Sequence, residues 1–188
     1  WAGAALGLAI ANKQWALLAA APVLLALPAR RRVPCLAVAV AAVAAVLAPL
    51  ALVHSGGFLS ATRASATAAS PIFQPWQAWW FFGHHGALVH GAFDSAKPGY
   101  RIGPSWSATL SHPLVLLAGF ALSVAVWLRE RASRRLSARK ALLALAVLML
   151  VRCVLDTWDT EYYLLPFVFA LLAWEVRAFS VRPPVLAL

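Results

Sequence analysis

Residues 30–53 read RRRVPCLAVAVAAVAAVLAPLALV. Three arginines precede a run from Val33 to Val53 that carries no charged side chain. About 20 apolar residues cross the hydrocarbon core of a bilayer. A cluster of Lys or Arg at one end of such a run marks the cytoplasmic side. The stretch therefore predicts a membrane-crossing helix and gives its direction.

The composition outside this stretch agrees. The chain has 188 residues, 63% hydrophobic and 12% charged, and its mean hydropathy is +0.78. An average soluble domain is about 45–50% apolar and about 25% charged. So much apolar side chain excludes a disordered chain, and it would leave a soluble domain with a greasy exterior. Two cysteines exclude a disulfide scaffold. Four further apolar runs follow the same logic: Ala2–Leu27, interrupted by Asn12, Lys13 and Gln14; Pro113–Leu128; Ala138–Leu155, with Arg152 inside it; and Tyr162–Val176. The expected fold is all-α and integral to the membrane, with about five transmembrane helices in one domain over residues 1–188. The chain opens at Trp1 and closes on Val185–Leu188, both apolar, and has no basic region ahead of its first apolar run. A secretory signal needs one. We therefore expect a fragment of a longer membrane protein.

The formal net charge is +10. In a soluble chain that value would suggest nucleic acid, but here the charges are sorted by loop. Segments 29–32, 129–140 and 177–182 hold eleven of the sixteen Lys and Arg residues. Segments 55–112 and 156–161 hold Arg63, Lys97 and Arg101 against Asp94, Asp156, Asp159 and Glu161. The first group is expected in the cytoplasm and the second outside, in a multi-pass plasma-membrane protein with no nucleic-acid partner. Cys35 and Cys153 fall at opposite ends of their spans, about 30 Å apart. A disulfide needs Cα atoms within about 7 Å, so both are expected to be free.

Polar residues at membrane depth narrow the search for a site. Lys13 lies 15 positions before Pro28, roughly 22 Å along a helix, in the outer half of the bilayer. A cation near the centre costs about 2.5–3.5 kcal/mol on insertion scales. Lys13 is either an anion site or a snorkelling or ion-paired structural lysine. Arg152 sits at similar depth, four residues before Asp156, and i,i+4 side chains share a helix face. An interfacial salt bridge and substrate binding both fit. All five histidines, His54, His84, His85, His90 and His112, fall at or beyond the outer interface. Adjacent histidines diverge and no ligand spacing accompanies them, so hydrogen bonding or simple interfacial placement is expected, with no metal and no cofactor.

In the long outer segment, Ile72 and Phe73, then Trp76, then Trp79 and Trp80 recur at helical spacing. Trp favours the headgroup level, so an interfacial aromatic helix is predicted over about 71–82, stopped by Gly83. Residues 60–70 are small and polar and read as a linker. Residues 97–104 hold Gly and Pro and read as irregular. Lys97 and Arg101 there either meet phosphate or lie on a solvated surface.

Taken together, several segments carry a family resemblance. They are Leu8–Leu18 around Asn12-Lys13-Gln14, Trp79–Gly83, Tyr100–Trp106, Ser111–Leu114 and Leu155–Pro166. This set resembles the C-terminal half of actinobacterial membrane glycosyltransferases of the GT-C class, closest to glycosyltransferase family 87, the polyprenol-phosphate-mannose-dependent α-mannosyltransferases. The resemblance implies an enzyme of the non-cytoplasmic face. It would transfer a sugar, mannose in that family, from a polyprenyl-phosphate donor to a glycolipid or glycan. Its other partners would be membrane lipids and the remainder of the same polypeptide. Such enzymes place their catalytic Asp in the first outer loop, and no residue of this chain matches it. Donor-phosphate candidates are Lys13, Arg152, His85 and Arg101. Acceptor-binding or structural candidates are His84, Asp156, Asp159, Glu161 and Tyr162. Tyr162 and Tyr163 either stack on a sugar or anchor at the interface. Two other classes use embedded cations: a transporter or flippase of a lipid-linked anion, and a non-catalytic membrane subunit. A transporter is expected to show internal repeats or broken helices. The sequence has no visible repeat, and its long outer loop favours the enzyme.

Overall fold

A computed structural model of the chain describes residues 1–66, 70, 72–85, 101–131, 135–158 and 161–179. The architecture is helical. In chain order the helices are α1 (Ala2–Asn12), α2 (Ala20–Ala26), α3 (Ala29–Val53), α4 (Ser55–Ala66), α5 (Ser105–Glu130), α6 (Ala138–Leu155) and α7 (Leu165–Ala178). Tight 3₁₀ turns occupy Gln14–Ala19, Ala78–Phe82 and Glu161–Leu164. Among the described residues, two helices are long and apolar enough to cross a membrane: α3, with 25 residues and mean hydropathy 2.7, and α5, with 26 residues and mean hydropathy 1.8. Only 6% of the apolar window of α3 is buried within the protein. Most of its valines and leucines face outward.

The run Ala2–Leu27 departs from the expected single helix. It is a hairpin. The α1 ladder ends at Lys13, whose backbone is extended (φ −147°, ψ 116°). A 3₁₀ turn then leads into α2. Packing fixes the directions. Gly3 lies against Cys35 and Val38 of α3, and Gly7 lies against Ala39 and Ala42. Contacts therefore advance together along both chains, so α1 and α3 run parallel. The segment from Lys13 to Ala26 must return to the Arg30–Arg32 end before α3 can start. Its antiparallel neighbour is α6. Leu18 packs with Leu148 near the middle, and Leu25 O accepts from Leu136 N at 2.9 Å just ahead of α6. The reversal occurs where Asn12, Lys13 and Gln14 gather. Polar backbone can leave the helical ladder there because a cavity, described below, receives it.

The glycines explain the close approach of α1 and α3. A Cβ on Gly7 would sit 2.7 Å from the Ala42 Cβ, and one on Gly3 would sit 2.9 Å from the Val38 Cβ. Small residues four apart let two helix backbones meet, the usual device where no water drives helices together. A second packing centre lies between the hairpin's return limb, α5 and α6, where Leu18, Val115, Leu148 and Met149 are buried. The α5 helix starts eight residues earlier than Pro113, because Pro104 forms its N-cap and Ser107 Oγ donates to Pro104 O at 2.7 Å. The α6 helix has the expected bounds.

The outer segment also differs from expectation. Residues 55–66 form α4 rather than a linker. Ser60 Oγ donates to Gly57 O at 2.9 Å, and Thr62 Oγ1 donates to Phe58 O at 2.8 Å. The small hydroxyl residues thus bond back along the helix, as Ser and Thr do when they are tolerated inside one. No continuous helix covers 72–82. Ile72–Phe73 (β1) and His84–His85 (β2) flank Arg101–Ile102 (β3) in a small antiparallel sheet of order β1-β3-β2. The apolar residues are used on two sides of a compact plug. Phe73, Gln77 and Trp79 point in, while Trp76, Phe81 and Phe82 stay exposed. Helical spacing alone could not separate these two uses. The plug docks on the end of α6. Trp79 Nε1 donates to Leu155 O and Gln77 Nε2 donates to Asp156 O, both at 2.7 Å, satisfying carbonyls at a helix terminus. Cys35 and Cys153 are both buried free thiols.

Candidate functional site

The tip of the α1–α2 hairpin borders a cavity of about 640 Å³. Its lining mixes polar side chains, among them Asn12, Lys13, His112, Arg152, Asp156 and Tyr163, with apolar ones, among them Ile10, Leu17, Leu47 and Phe58. Four separate parts of the chain deliver the polar residues. Lys13 comes from the hairpin tip, His112 from α5, Arg152 and Asp156 from the end of α6, and Tyr163 from the 3₁₀ turn before α7.

Asp156 organises one side. Its carboxylate accepts from Arg152 Nη2 at 3.0 Å and from Trp158 N at 3.0 Å. His112 Nε2 lies 3.5 Å from Asp156 Oδ1. The Arg152 and Asp156 side chains are only 4% and 1% exposed. The i,i+4 pair expected from spacing is therefore present and buried. Arg152 Nη1 also donates to Tyr163 O at 3.2 Å, and its guanidinium lies over the Tyr163 ring at 4.6 Å and over the Trp15 ring at 5.9 Å. Trp15 in turn meets His112 edge to face, with centroids 5.0 Å apart. An aromatic and hydrogen-bonded frame thus fixes the arginine.

Lys13 sits differently. Its Nζ donates to the Tyr163 hydroxyl at 3.0 Å and lies 4.7 Å from the centre of that ring. Neither contact is with a carboxylate, and the side chain lines the cavity. Cation–π contacts of this kind contribute roughly 0.5–2 kcal/mol, more where water is excluded. Tyr162 stacks at a tilt on Tyr163, centroids 4.3 Å apart, and remains 60% exposed.

The other expected site residues are elsewhere. Arg101 is used inside the plug: its Nη1 donates to Trp80 O at 3.0 Å, and its guanidinium lies 5.0 Å from the Trp80 ring. It is not in the cavity wall. His84 and His85 lie on β2, with His85 paired to Arg101 in the sheet register. Glu161 opens the 3₁₀ turn that carries Tyr163. Asp159, His90 and Lys97 lie outside the described residues.

Sequence reading missed Trp15, His112 and Tyr163 as members of one site. Tyr163 is 150 positions from Lys13, and His112 is 44 from Asp156. The only linear signal was that all fall toward the side the sequence reading expects to be outer. Chemically, the cavity lining combines a cation and hydroxyl groups with apolar side chains. That combination suits an anionic head attached to an apolar chain. No protein family, curated protein or solved structure matches the chain.

Proposed function

We propose that this chain is the C-terminal part of a membrane glycosyltransferase that takes a sugar, mannose by family resemblance, from a polyprenyl-phosphate donor and gives it to a glycolipid or glycan acceptor on the non-cytoplasmic face. The observation that carries the reading is the Lys13 ammonium held on Tyr163 at a cavity lined by both polar and apolar side chains. In the reaction the acceptor hydroxyl attacks the sugar's C1 and gives its proton to the catalytic Asp that the family resemblance implies in the first outer loop, which no residue of this chain supplies; the C1–O bond to phosphate breaks, and polyprenyl phosphate leaves with the electron pair. Lys13 and Tyr163 would face the charge that grows on that phosphate, where pre-placed donors act most strongly. Asp156 is buried and engaged by Arg152 and Trp158, so its part is to hold Arg152 and His112, not to take the acceptor's proton. In the same reading α3, α5, α6 and α7 cross the membrane. The α1–α2 hairpin enters and leaves on the cytoplasmic, Arg30–Arg32 side, and its tip stands in the outer half.

The test is sugar transfer from labelled polyprenyl-phosphate mannose in membranes carrying the full-length protein. Label should appear in glycolipid or glycan, and Lys13→Ala should abolish most of it with the protein still folded. Undiminished turnover in that variant would remove Lys13 from the site. One observation favours a second reading, a flippase of a lipid-linked anion: the helix broken at Lys13, a device transporters use to expose a binding site. Lipid translocation in reconstituted vesicles without sugar transfer would select it.

A further inference from the structure

A second unassigned feature starts beside the cavity, at Leu17, and runs toward the Arg-rich end of the bundle. An apolar groove of about 530 Å³ runs between α2 and α5, lined by Leu24, Leu25, Leu116, Phe120, Val124 and Trp127 among others. On α5 it extends from Leu116 to Trp127, about 16 Å at 1.5 Å per residue. That is close to one leaflet's share of a hydrocarbon core about 30 Å thick. At its Arg-rich end the groove meets a shallow recess of about 50 Å³, and Leu25 and Trp127 line both.

The recess is basic. Arg32, Arg131 and Arg135 line it together with Glu130. Lys140 Nζ lies 2.7 Å and 2.9 Å from the two oxygens of this carboxylate, and the three arginines outnumber it. The hairpin's own end sets two of the arginines in place: Arg32 Nε donates to Leu27 O at 3.2 Å and Arg135 Nε donates to Ala26 O at 2.8 Å. Trp127 is half exposed at this level, where Trp meets the headgroup layer.

We propose that this groove and recess form a binding site for one anionic phospholipid of the leaflet on the Arg-rich side. The phosphate lies against Arg32, Arg131 and Arg135, and one acyl chain lies along α2 and α5. Basic pockets between membrane helices recognise anionic headgroups in this way. The inference rests on the chain being embedded in a membrane and not on the glycosyltransferase reading. An occupied groove would brace the hairpin's return limb from below.

The test uses the full-length protein, delipidated in detergent, with binding followed by native mass spectrometry and thermal unfolding. Phosphatidylglycerol should bind and raise the unfolding temperature more than phosphatidylcholine of the same acyl chains. The Arg131→Gln/Arg135→Gln variant should bind phosphatidylglycerol roughly 25-fold more weakly, from about 1 kcal/mol per basic residue. Arg30→Gln/Arg31→Gln removes the same charge outside the recess and should bind almost as wild type. Equal binding of the two lipids, or equal weakening in the two variants, would overturn the proposal. Glycerophosphoglycerol, which lacks acyl chains, should bind far more weakly than the lipid; comparable binding would also overturn it. If the double variant does not fold, Arg131→Gln alone and Val124→Trp, which fills the groove, should each weaken phosphatidylglycerol binding. Unchanged binding in both would refute the site.

Discussion

The Lys13 ammonium donates to the hydroxyl of Tyr163 at 3.0 Å, joining the tip of the N-terminal hairpin to the turn that opens α7. The Lys13 side chain is exposed, and its partners are a ring and a hydroxyl. The arrangement keeps the charge available to a ligand while giving the bare protein a place to hold it.

This relationship separates the roles of the two residues. Lys13→Met should lower sugar transfer by about 100-fold, the scale of losing one pre-placed charge donor. Tyr163→Phe keeps the ring under the cation and loses only the hydroxyl, so its loss should stay under about tenfold, near the ~1 kcal/mol of a single hydrogen bond. Lys13→Arg should recover part of the activity. Initial rates of the three variants check this. If Tyr163→Phe is as damaging as Lys13→Met, the hydroxyl and not the ammonium faces the phosphate.

The buried pair Arg152–Asp156 predicts a stability effect distinct from activity. Removing one partner of a buried ion pair costs about 3–5 kcal/mol, because the other charge is stranded. Asp156→Leu and Arg152→Met should each lower the unfolding temperature strongly. The double variant should be less destabilised than the sum of the two, since no lone charge remains. Thermal unfolding in detergent checks this, and additive losses would show that the two side chains act independently.

The plug makes a prediction for a residue with no charge. Gln77 is buried and its Nε2 donates to Asp156 O at 2.7 Å. Gln77→Ala leaves a buried carbonyl without that donor and should cost about 1–3 kcal/mol. Hydrogen exchange should rise at the amides around Leu155–Trp158 before it rises in α3. Uniform exchange across the protein would mean the plug is not what secures the end of α6.

How much of this was legible beforehand depended on distance along the chain. The span from Val33 to Val53, the α6 bounds and the Arg152–Asp156 pair were readable because they follow from local composition and i,i+4 geometry. The reversal at Lys13 was not. A run of 26 residues has the same hydropathy whether it crosses once or folds back. What decides is Gly3 and Gly7 fitting against α3, a contact between separate helices. Arg101 went to the plug and His112 to the cavity for the same reason. Each needed the β3 pairing or the α5–α6 packing, neither of which leaves a periodic mark. The plug itself was hidden because Trp79 and Trp76 look alike in sequence, and only the carbonyl at the end of α6 tells them apart.

The reversal gives the most direct test of the architecture. If Ala2–Leu27 crossed the membrane once, Trp1 and Arg30 would lie on opposite sides. In the hairpin they lie on the same side, because α1 runs parallel to α3 with Gly3 beside Cys35 near the start of that helix. Trp1 is fully exposed, so it can report. In a background with Cys35 and Cys153 replaced by Ala, Trp1→Cys and Arg30→Cys should react with an impermeant maleimide from the same face. Ser60→Cys, beyond the far end of α3, should react from the other. By the positive-inside rule the shared face is cytoplasmic. Labelling of Trp1→Cys together with Ser60→Cys would refute the hairpin. It would also place Lys13 in the middle of a crossing helix, where the broken ladder at Lys13 would have no cavity to receive it.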